Sequence, residues 1–303
     1  MRIISIGEPL MEFSEQGNQT YLAGYGGDTS NFLIAAARQG GEASYLTKVG
    51  DDAFGREFLE LWKKENVDTN NVQVDPKAHT GLYFISYSKN GHEFTYHREG
   101  SAASMLSVND IHQEIFTGAE YLHVSGISQA ISDTSCDAVF RAIDYAKNEN
   151  IKISYDPNFR AKLWGLTRAK SIINHTATLA DIFLPSLEEA QKLTGLQDPD
   201  KILDYYLRLE VPFIALKLGK EGVYLAGQSF RKKVSGFTVN TLDSTGAGDT
   251  FDGAFIARLS KGDDYEMAAV YANAAAALST TGHGAVNPIP TFKEVKDFLE
   301  RQQ

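Results

Sequence analysis

Short apolar runs alternating with segments of helical spacing constrain this chain more than any other feature. Ile3-Ile4-Ser5-Ile6, ending in Gly7, has the length and composition of a buried strand. Ala43 to Val49, Tyr121 to Val124, Ile151 to Tyr155, Ile182 to Leu184 and Phe213 to Lys217 predict further strands. Helix candidates lie between them. Phe32 to Ala37 follows a glycine-rich turn at 24–28, and Phe54 to Lys64 keeps Phe54, Phe58, Leu61 and Trp62 on one face. Asp137 to Asn148 and Leu187 to Leu193 continue the pattern, and the final third predicts helices at Thr250 to Leu259, Glu266 to Leu278 and Phe292 to Leu299. Repeated strand–helix units give a parallel sheet covered by helices on both faces. The predicted fold class is α/β, three αβα layers around a mostly parallel central sheet.

One region departs from the alternation. Leu82 to Tyr87 and Glu93 to His97 are β-rich and separated by Lys89-Asn90-Gly91, a hairpin signal. Residues 80–100, with 12–25 beside them, predict a small β-sheet lid. No linker, low-complexity tract or internal repeat interrupts the 303 residues, so 1–303 reads as one domain. No run of about 18 apolar residues predicts a membrane span. Glu8 arrives too early for a signal peptide, so the N-terminus reads as a first strand. The glycosylation-acceptor matches at Asn18 and Asn174 then read as chance. The single cysteine, Cys136, reads as a small core residue and fits a cytoplasmic location. A net charge of −10 argues against a sequence-independent grip on nucleic acid, but leaves phosphorylated ligands open.

The chemistry concentrates at Asp243-Ser244-Thr245-Gly246-Ala247-Gly248-Asp249, directly before the helix predicted from Thr250. Glycines let backbone N–H groups approach a ligand, and a helix N-terminus adds unpaired donors and a positive dipole end. The amides of Gly246, Ala247 and Gly248 thus form a candidate anion hole. Asp249 beside it could take a proton from an attacking hydroxyl, as phosphoryl transfer requires. The competing reading is a carboxylate that only caps a helix. A dinucleotide fingerprint fits worse, because its third glycine would fall at Phe251, and no phosphate loop exists, Gly219-Lys220 being followed by Glu221. The seven histidines show no paired metal-ligand spacing.

Asp243 to Phe251 closely resembles the C-terminal signature of ribokinase-like (pfkB-type) carbohydrate kinases. Gly26-Gly27-Asp28-Thr29-Ser30-Asn31 resembles their N-terminal signature, and Gly50-Asp51-Asp52-Ala53-Phe54-Gly55 a further family stretch. The resemblance runs over essentially the whole chain. It implies Asp249 as base, sugar contacts at Gly26, Gly27 and Asn31, and ATP contacts at Asn158, Lys217, Gly219, Gly222, Gly246, Gly248 and Asn273. It implies ATP with Mg2+, leaves a monovalent cation open, and implies a lid over the sugar through which subunits pair into a homo-oligomer. One departure stands out. The family commonly has Asn-x-x-Glu, where this chain has Ser186-Leu187-Glu188-Glu189. Glu189 keeps an indirect role with the metal, whereas Ser186 is either a nucleotide contact or half of a capping box.

Two arginines suggest the substrate. Arg98 follows the hairpin and Arg160 follows the strand 151–155. Forked guanidiniums suit a carboxylate, which a neutral sugar lacks. With Gly7-Glu8-Pro9-Leu10-Met11-Glu12 at the start, this pattern looks like the 2-keto-3-deoxygluconate kinases of the family, in which Tyr83, Tyr96, Arg98 and Arg160 correspond to substrate positions. Structural ion pairs are the competing reading for both arginines, and packing for the tyrosines. A neutral-sugar kinase such as a fructokinase is the alternative. A non-catalytic binding protein is the third, against which an intact Asp249 stands. C4-epimer preference stays open.

Overall fold

Alternating core residues within each strand already demand two covered faces. Ile3 is buried on one side and Ile4 and Ile6 on the other; Val223 and Leu225 oppose Tyr224 and Ala226 in the same way. A computed structural model describes residues 2–17, 19–88 and 91–302, without the side chains of 87, 88, 91 and 92. The expected turn residues Lys89 and Asn90, and Asn18, fall outside it.

The chain runs β1 (Arg2–Ile6), β2 (Leu10–Gly17), β3 (Thr20–Gly26), α1 (Asp28–Arg38), β4 (Glu42–Gly50), α2 (Ala53–Lys64), β5 (Val72–Asp75), β6 (Leu82–Ser88) and β7 (Gly91–His97). It continues through β8 (Ala119–Ser125), α3 (Gly126–Ala130), α4 (Asp133–Asn148), β9 (Lys152–Asp156), α5 (Leu166–Leu179), β10 (Ile182–Phe183), α6 (Leu187–Thr194) and α7 (Pro199–Arg208). It ends with β11 (Phe213–Lys217), β12 (Gly222–Gly227), β13 (Phe230–Ser235), α8 (Ala247–Ser260), α9 (Tyr265–Ser279) and α10 (Phe292–Gln302).

The large sheet has nine strands in the order β13-β12-β11-β10-β9-β8-β1-β4-β5. All neighbours are parallel except β11–β12 and β12–β13. One face packs on α1, α2, α8, α9 and α10, the other on α4, α5, α6 and α7. The three-layer α/β arrangement expected from the alternation is therefore present. A separate four-stranded sheet has the order β3-β2-β6-β7. Its phase puts Phe13 and Phe84 on one face, where Phe13 meets Phe54 of α2 at 5.6 Å between ring centroids. Glu12 and Tyr83, opposite each other in register, occupy the other face.

Strand order reverses between β1 and β8: from β1 the sheet grows one way through β4 and β5, and from β8 the other way. Ligands in open α/β sheets gather at the carboxyl ends of strands at such a point. Gly7 and Glu8 leave β1 there, and Ser125 ends β8.

Candidate active site

The two glycine signatures meet at this crevice. Gly27 caps the N-terminus of α1 with φ 96, a left-handed conformation natural to glycine. A Cβ there would lie 2.2 Å from the Glu8 carbonyl oxygen, so the α1 entry and the β1 exit are in backbone contact. Asn31, in the first turn of α1, donates from Nδ2 to Asp249 Oδ2 at 2.8 Å across 218 residues of chain. The expected base and the expected sugar contact are thereby brought together.

α8 begins at Ala247, three residues before the predicted start, with Gly246 as its left-handed N-cap at φ 74. Asp249 therefore sits inside the first turn. The anion hole needs one correction: the Ala247 N–H already donates to Ser244 O at 3.2 Å. Of the three expected donors this leaves the Gly246 and Gly248 amides. Asp243 braces the loop: its carboxylate accepts from Thr245 N at 2.9 Å, Thr245 Oγ1 at 2.7 Å and Gly284 N at 3.0 Å. Burial raises the Asp243 pKa, but these bonds outweigh it and hold the carboxyl below its usual range.

Burial, reinforced by the charge of Asp28, pushes the Asp249 carboxyl up to about 7, with the Asn31 bond opposing. Asp28 accepts hydrogen bonds from Ser125 Oγ, Asn158 Nδ2 and Thr29 N. Burial also raises its own pKa. Below Asp249 lies a buried charged cluster. Lys217 Nζ is 2.8 Å from Asp252 Oδ2 and 3.2 Å from Asp156 Oδ2. Asp252 is pushed well up by burial, while Lys217 and the hydrogen bond from Asp252 outweigh burial at Asp156 and keep it low.

Several residues expected to contact ATP also have partners within the protein. The side chain of Lys217 is committed to that cluster. Asn273 Nδ2 donates to Val234 O and Ser235 O, both at 3.1 Å, tying α9 to the end of β13. Ser186 is a cap: its Oγ donates to Glu189 Oε2 at 2.7 Å and accepts from Glu189 N at 3.4 Å. Asn158, at the end of β9, spends its side-chain N–H on Asp28. Gly219 opens a short turn after β11 and Gly222 starts β12.

The small sheet supplies the other wall. A Cβ on Gly26 would lie 2.7 Å from Tyr83 Oη, so the tyrosine rests on Gly26. Tyr83 donates to Glu12, whose carboxyl burial raises despite that bond. Tyr96 is Tyr83's cross-strand neighbour, with ring centroids 5.5 Å apart. Arg98 lies with its guanidinium carbon 4.6 Å from the Tyr96 ring centroid and its Nη2 3.0 Å from Glu8 Oε2. Arg160 takes a different partner, Nη1 lying 4.0 Å from Glu189 Oε1, and is largely exposed. The two arginines, expected to converge, are thus held by separate carboxylates.

Sequence reasoning passed over Glu8, Glu12, Asp28, Asp156 and Asp252 as site residues. Each was readable as a carboxylate set among apolar or glycine positions, where an ionisable group needs a partner.

A model described as pfkB family carbohydrate kinase matches residues 3–292. A 2-dehydro-3-deoxygluconokinase of Bacillus subtilis is 34% identical, with 99% of this chain and 96% of that one aligned. Fructokinase-1 of Zea mays is 32% identical, with 99% and 98% aligned. Among solved structures, an E. coli protein in complex with ATP and Mg2+ matches with a TM-score of 0.92 at 27% identity, covering 99% of each chain.

Proposed function

This chain belongs to the pfkB family of carbohydrate kinases, and within that family we propose that it phosphorylates 2-keto-3-deoxygluconate on its 6-hydroxyl, giving the 6-phosphate and ADP. It is a sugar kinase, moving a phosphoryl group from ATP to a sugar hydroxyl. The choice of sugar acid rests on one observation. Arg98 is almost wholly buried on the sugar side, and its Nε has no partner although Nη2 is paired with Glu8. An unsatisfied buried donor costs about 1–3 kcal/mol, and more when charged. A substrate carboxylate would satisfy it; a neutral hydroxyl would do so less strongly.

The reaction follows from the carboxyl-end crevice. The sugar lies beside Gly26 and Gly27, with Tyr83 and Tyr96 as one wall and its terminal hydroxyl at Asp249. Asp249 accepts the hydroxyl proton, the freed oxygen attacks the γ-phosphorus, and the bond to the β-phosphate oxygen breaks to release ADP. A carboxyl titrating at about 7 is matched to that task near neutral pH. The Gly246 and Gly248 amides and the N-terminus of α8 receive the charge that develops on the phosphoryl oxygens. Arg160, exposed at the end of β9 beside Glu189, is suited to the nucleotide phosphates. Magnesium fits the donor set. Glu189 keeps one carboxylate oxygen outside its capping box, and no cluster of three or more potential ligands occurs among the described residues. Phosphate and water would therefore complete its shell, with Glu189 reached through water. When bound, magnesium neutralises charge on the β- and γ-phosphates.

Glu8 favours a second reading, a fructokinase. It already occupies part of Arg98, and a fructokinase aligns over nearly the full chain. A coupled ADP-release assay across a sugar panel decides between them. Turnover should be highest in kcat/KM with 2-keto-3-deoxygluconate. Equal or better values with fructose or ribose would overturn the choice of substrate. Asp249→Asn should lower kcat by about 10²–10⁴-fold while sugar binding persists; near-wild-type turnover would remove Asp249 as base.

A further inference from the structure

We propose that Glu8 sets how this site responds to charge: it positions Arg98 for the substrate carboxylate, and takes up a proton from solvent when that carboxylate arrives on the same guanidinium. This deepens the sugar-acid reading and rests on it.

The geometry leaves one cation between two anions. Arg98 reaches Glu8 through Nη2 at 3.0 Å, and the Tyr96 ring covers one face of the guanidinium. Its Nε is buried and unpartnered, so capacity for a second carboxylate remains beside the first. Glu8 cannot withdraw. Its side chain is 1% exposed, its carbonyl abuts Gly27, and its Oε1 lies 3.3 Å from the position a Gly81 Cβ would take. Among the described residues one hydroxyl reaches it, Ser101 Oγ at 3.5 Å, a weak bond. The titratable groups facing it are Arg98 after β7, Asp28 from α1 and Tyr45 from β4.

A buried ion pair with one cation and one anion is roughly balanced, whereas two carboxylates on one guanidinium leave a net buried negative charge. The least costly relief is protonation of the less solvated carboxyl. Glu8 is poised for it: burial pushes it up to about 7 even with Arg98 beside it, and Asp28 adds to the rise. At pH 7.5 roughly three quarters of such a group is ionised, and a new neighbouring anion raises its pKa by about 1–2 units. Binding should therefore take up about half a proton per site. No other bond forms; the only change is an O–H bond on the Glu8 carboxyl. A neutral sugar brings no second anion, so the ionisation of Glu8 is unchanged and Arg98 stays occupied. Glu8 is thus a positioning residue that discriminates by charge.

Calorimetric titration of the enzyme with 2-keto-3-deoxygluconate at pH 7.5, in two buffers of different ionisation enthalpy, reads the proton count directly. Asp249 titrates in the same range, so the measurement is repeated in Asp249→Asn, where uptake should persist. In Glu8→Gln uptake should vanish. The acid should also bind several-fold more tightly to Glu8→Gln than to wild type at pH 8, because the amide keeps the side chain's shape beside Arg98 without its charge. A merely structural Glu8 would give weaker binding of every sugar. Binding without uptake in wild type and Asp249→Asn would overturn this inference alone. Failure of the acid to bind wild type at all, while fructose binds, would overturn the substrate reading and the inference with it.

Discussion

The hydrogen bond between Asn31 and Asp249 joins two signatures that sequence could only set side by side. It also makes the pH behaviour of the base predictable. Burial and Asp28 raise Asp249 to about 7, and the Asn31 N–H opposes them by favouring the charged form. The base works ionised, so kcat/KM should rise with pH through an apparent pKa near 7. Removing the donor in Asn31→Ala should move that limb upward by about one unit. A pH–rate profile checks this, and an unmoved limb would show that the bond does not tune the base. The same shift has a stability consequence. An unfolded Asp249 ionises near its ordinary value, so between that value and about 7 the folded chain binds the extra proton. Folded stability contributed by this group is therefore lost as pH rises through that window. Asp249→Asn should raise the melting temperature more at pH 8 than at pH 5.5, and an equal gain at both would contradict the shift. At this scale sequence reasoning located the base and its glycines, because left-handed glycine and a helix start leave local marks. It did not foresee that Asn158, Lys217 and Asn273 would spend their donors on Asp28, on Asp156 with Asp252, and on the end of β13. Those partners are set by sheet order, which no local pattern records.

Elements were legible in proportion to how strongly their periodicity was forced. The strands buried on both faces and the helices α1, α2, α4 and α9 announced themselves through apolar runs or stripes. α5 and α7 did not, although α7 carries Pro199 at its start and an Asp198 cap. Their apolar positions are spaced among charges and serve the second face of a sheet whose order was unknown. β12 and β13 were also missed. β13, Phe230–Ser235, exposes most of its residues at the sheet edge, and its lysines and arginine suit an edge that must not recruit another strand. Ser186 is a case where two sequence readings coexisted and geometry favours one. Its hydroxyl both donates to and accepts from Glu189, and Glu189 Oε2 also accepts from Ser186 N at 3.1 Å. Ser186→Ala should cost about 0.5–2 kcal/mol in denaturant unfolding, as a lost cap does. It should also free Glu189, whose pKa is already raised by burial and by Asp156. A variant as stable as wild type that instead loses ATP affinity would return Ser186 to the nucleotide.

At the scale of the whole molecule, the candidate site lies where two separately paired sheets meet at one switch point. The large sheet delivers Gly7, Ser125 and Asp156 at its carboxyl ends, and the small sheet brings Glu12, Tyr83 and Arg98 over them. The two sheets are separate in their strand pairing. The small sheet is held down by Phe13 against Phe54, Tyr25 against Phe58 at 5.4 Å, the Arg98–Glu8 pair, and Met11 and Leu82 packed into the core under the large sheet. Its strand β7 is exposed over 93–97, and such segments open at lower free energy than a core. Phosphoryl transfer requires water to be kept from the γ-phosphate, so the small sheet is the element suited to close over bound sugar. Phe94 and Tyr96, on the same face as Tyr83, are more than a third exposed, and an assembly through this sheet would also cover them. Hydrogen exchange separates the two roles. Sugar together with a non-hydrolysable ATP analogue should slow exchange in 10–17, 82–86 and 93–97 far more than in β8 or β9, at fixed protein concentration. Protection there that follows protein concentration and ignores ligand would assign the sheet to subunit pairing. Unchanged exchange under both conditions would deny it either role.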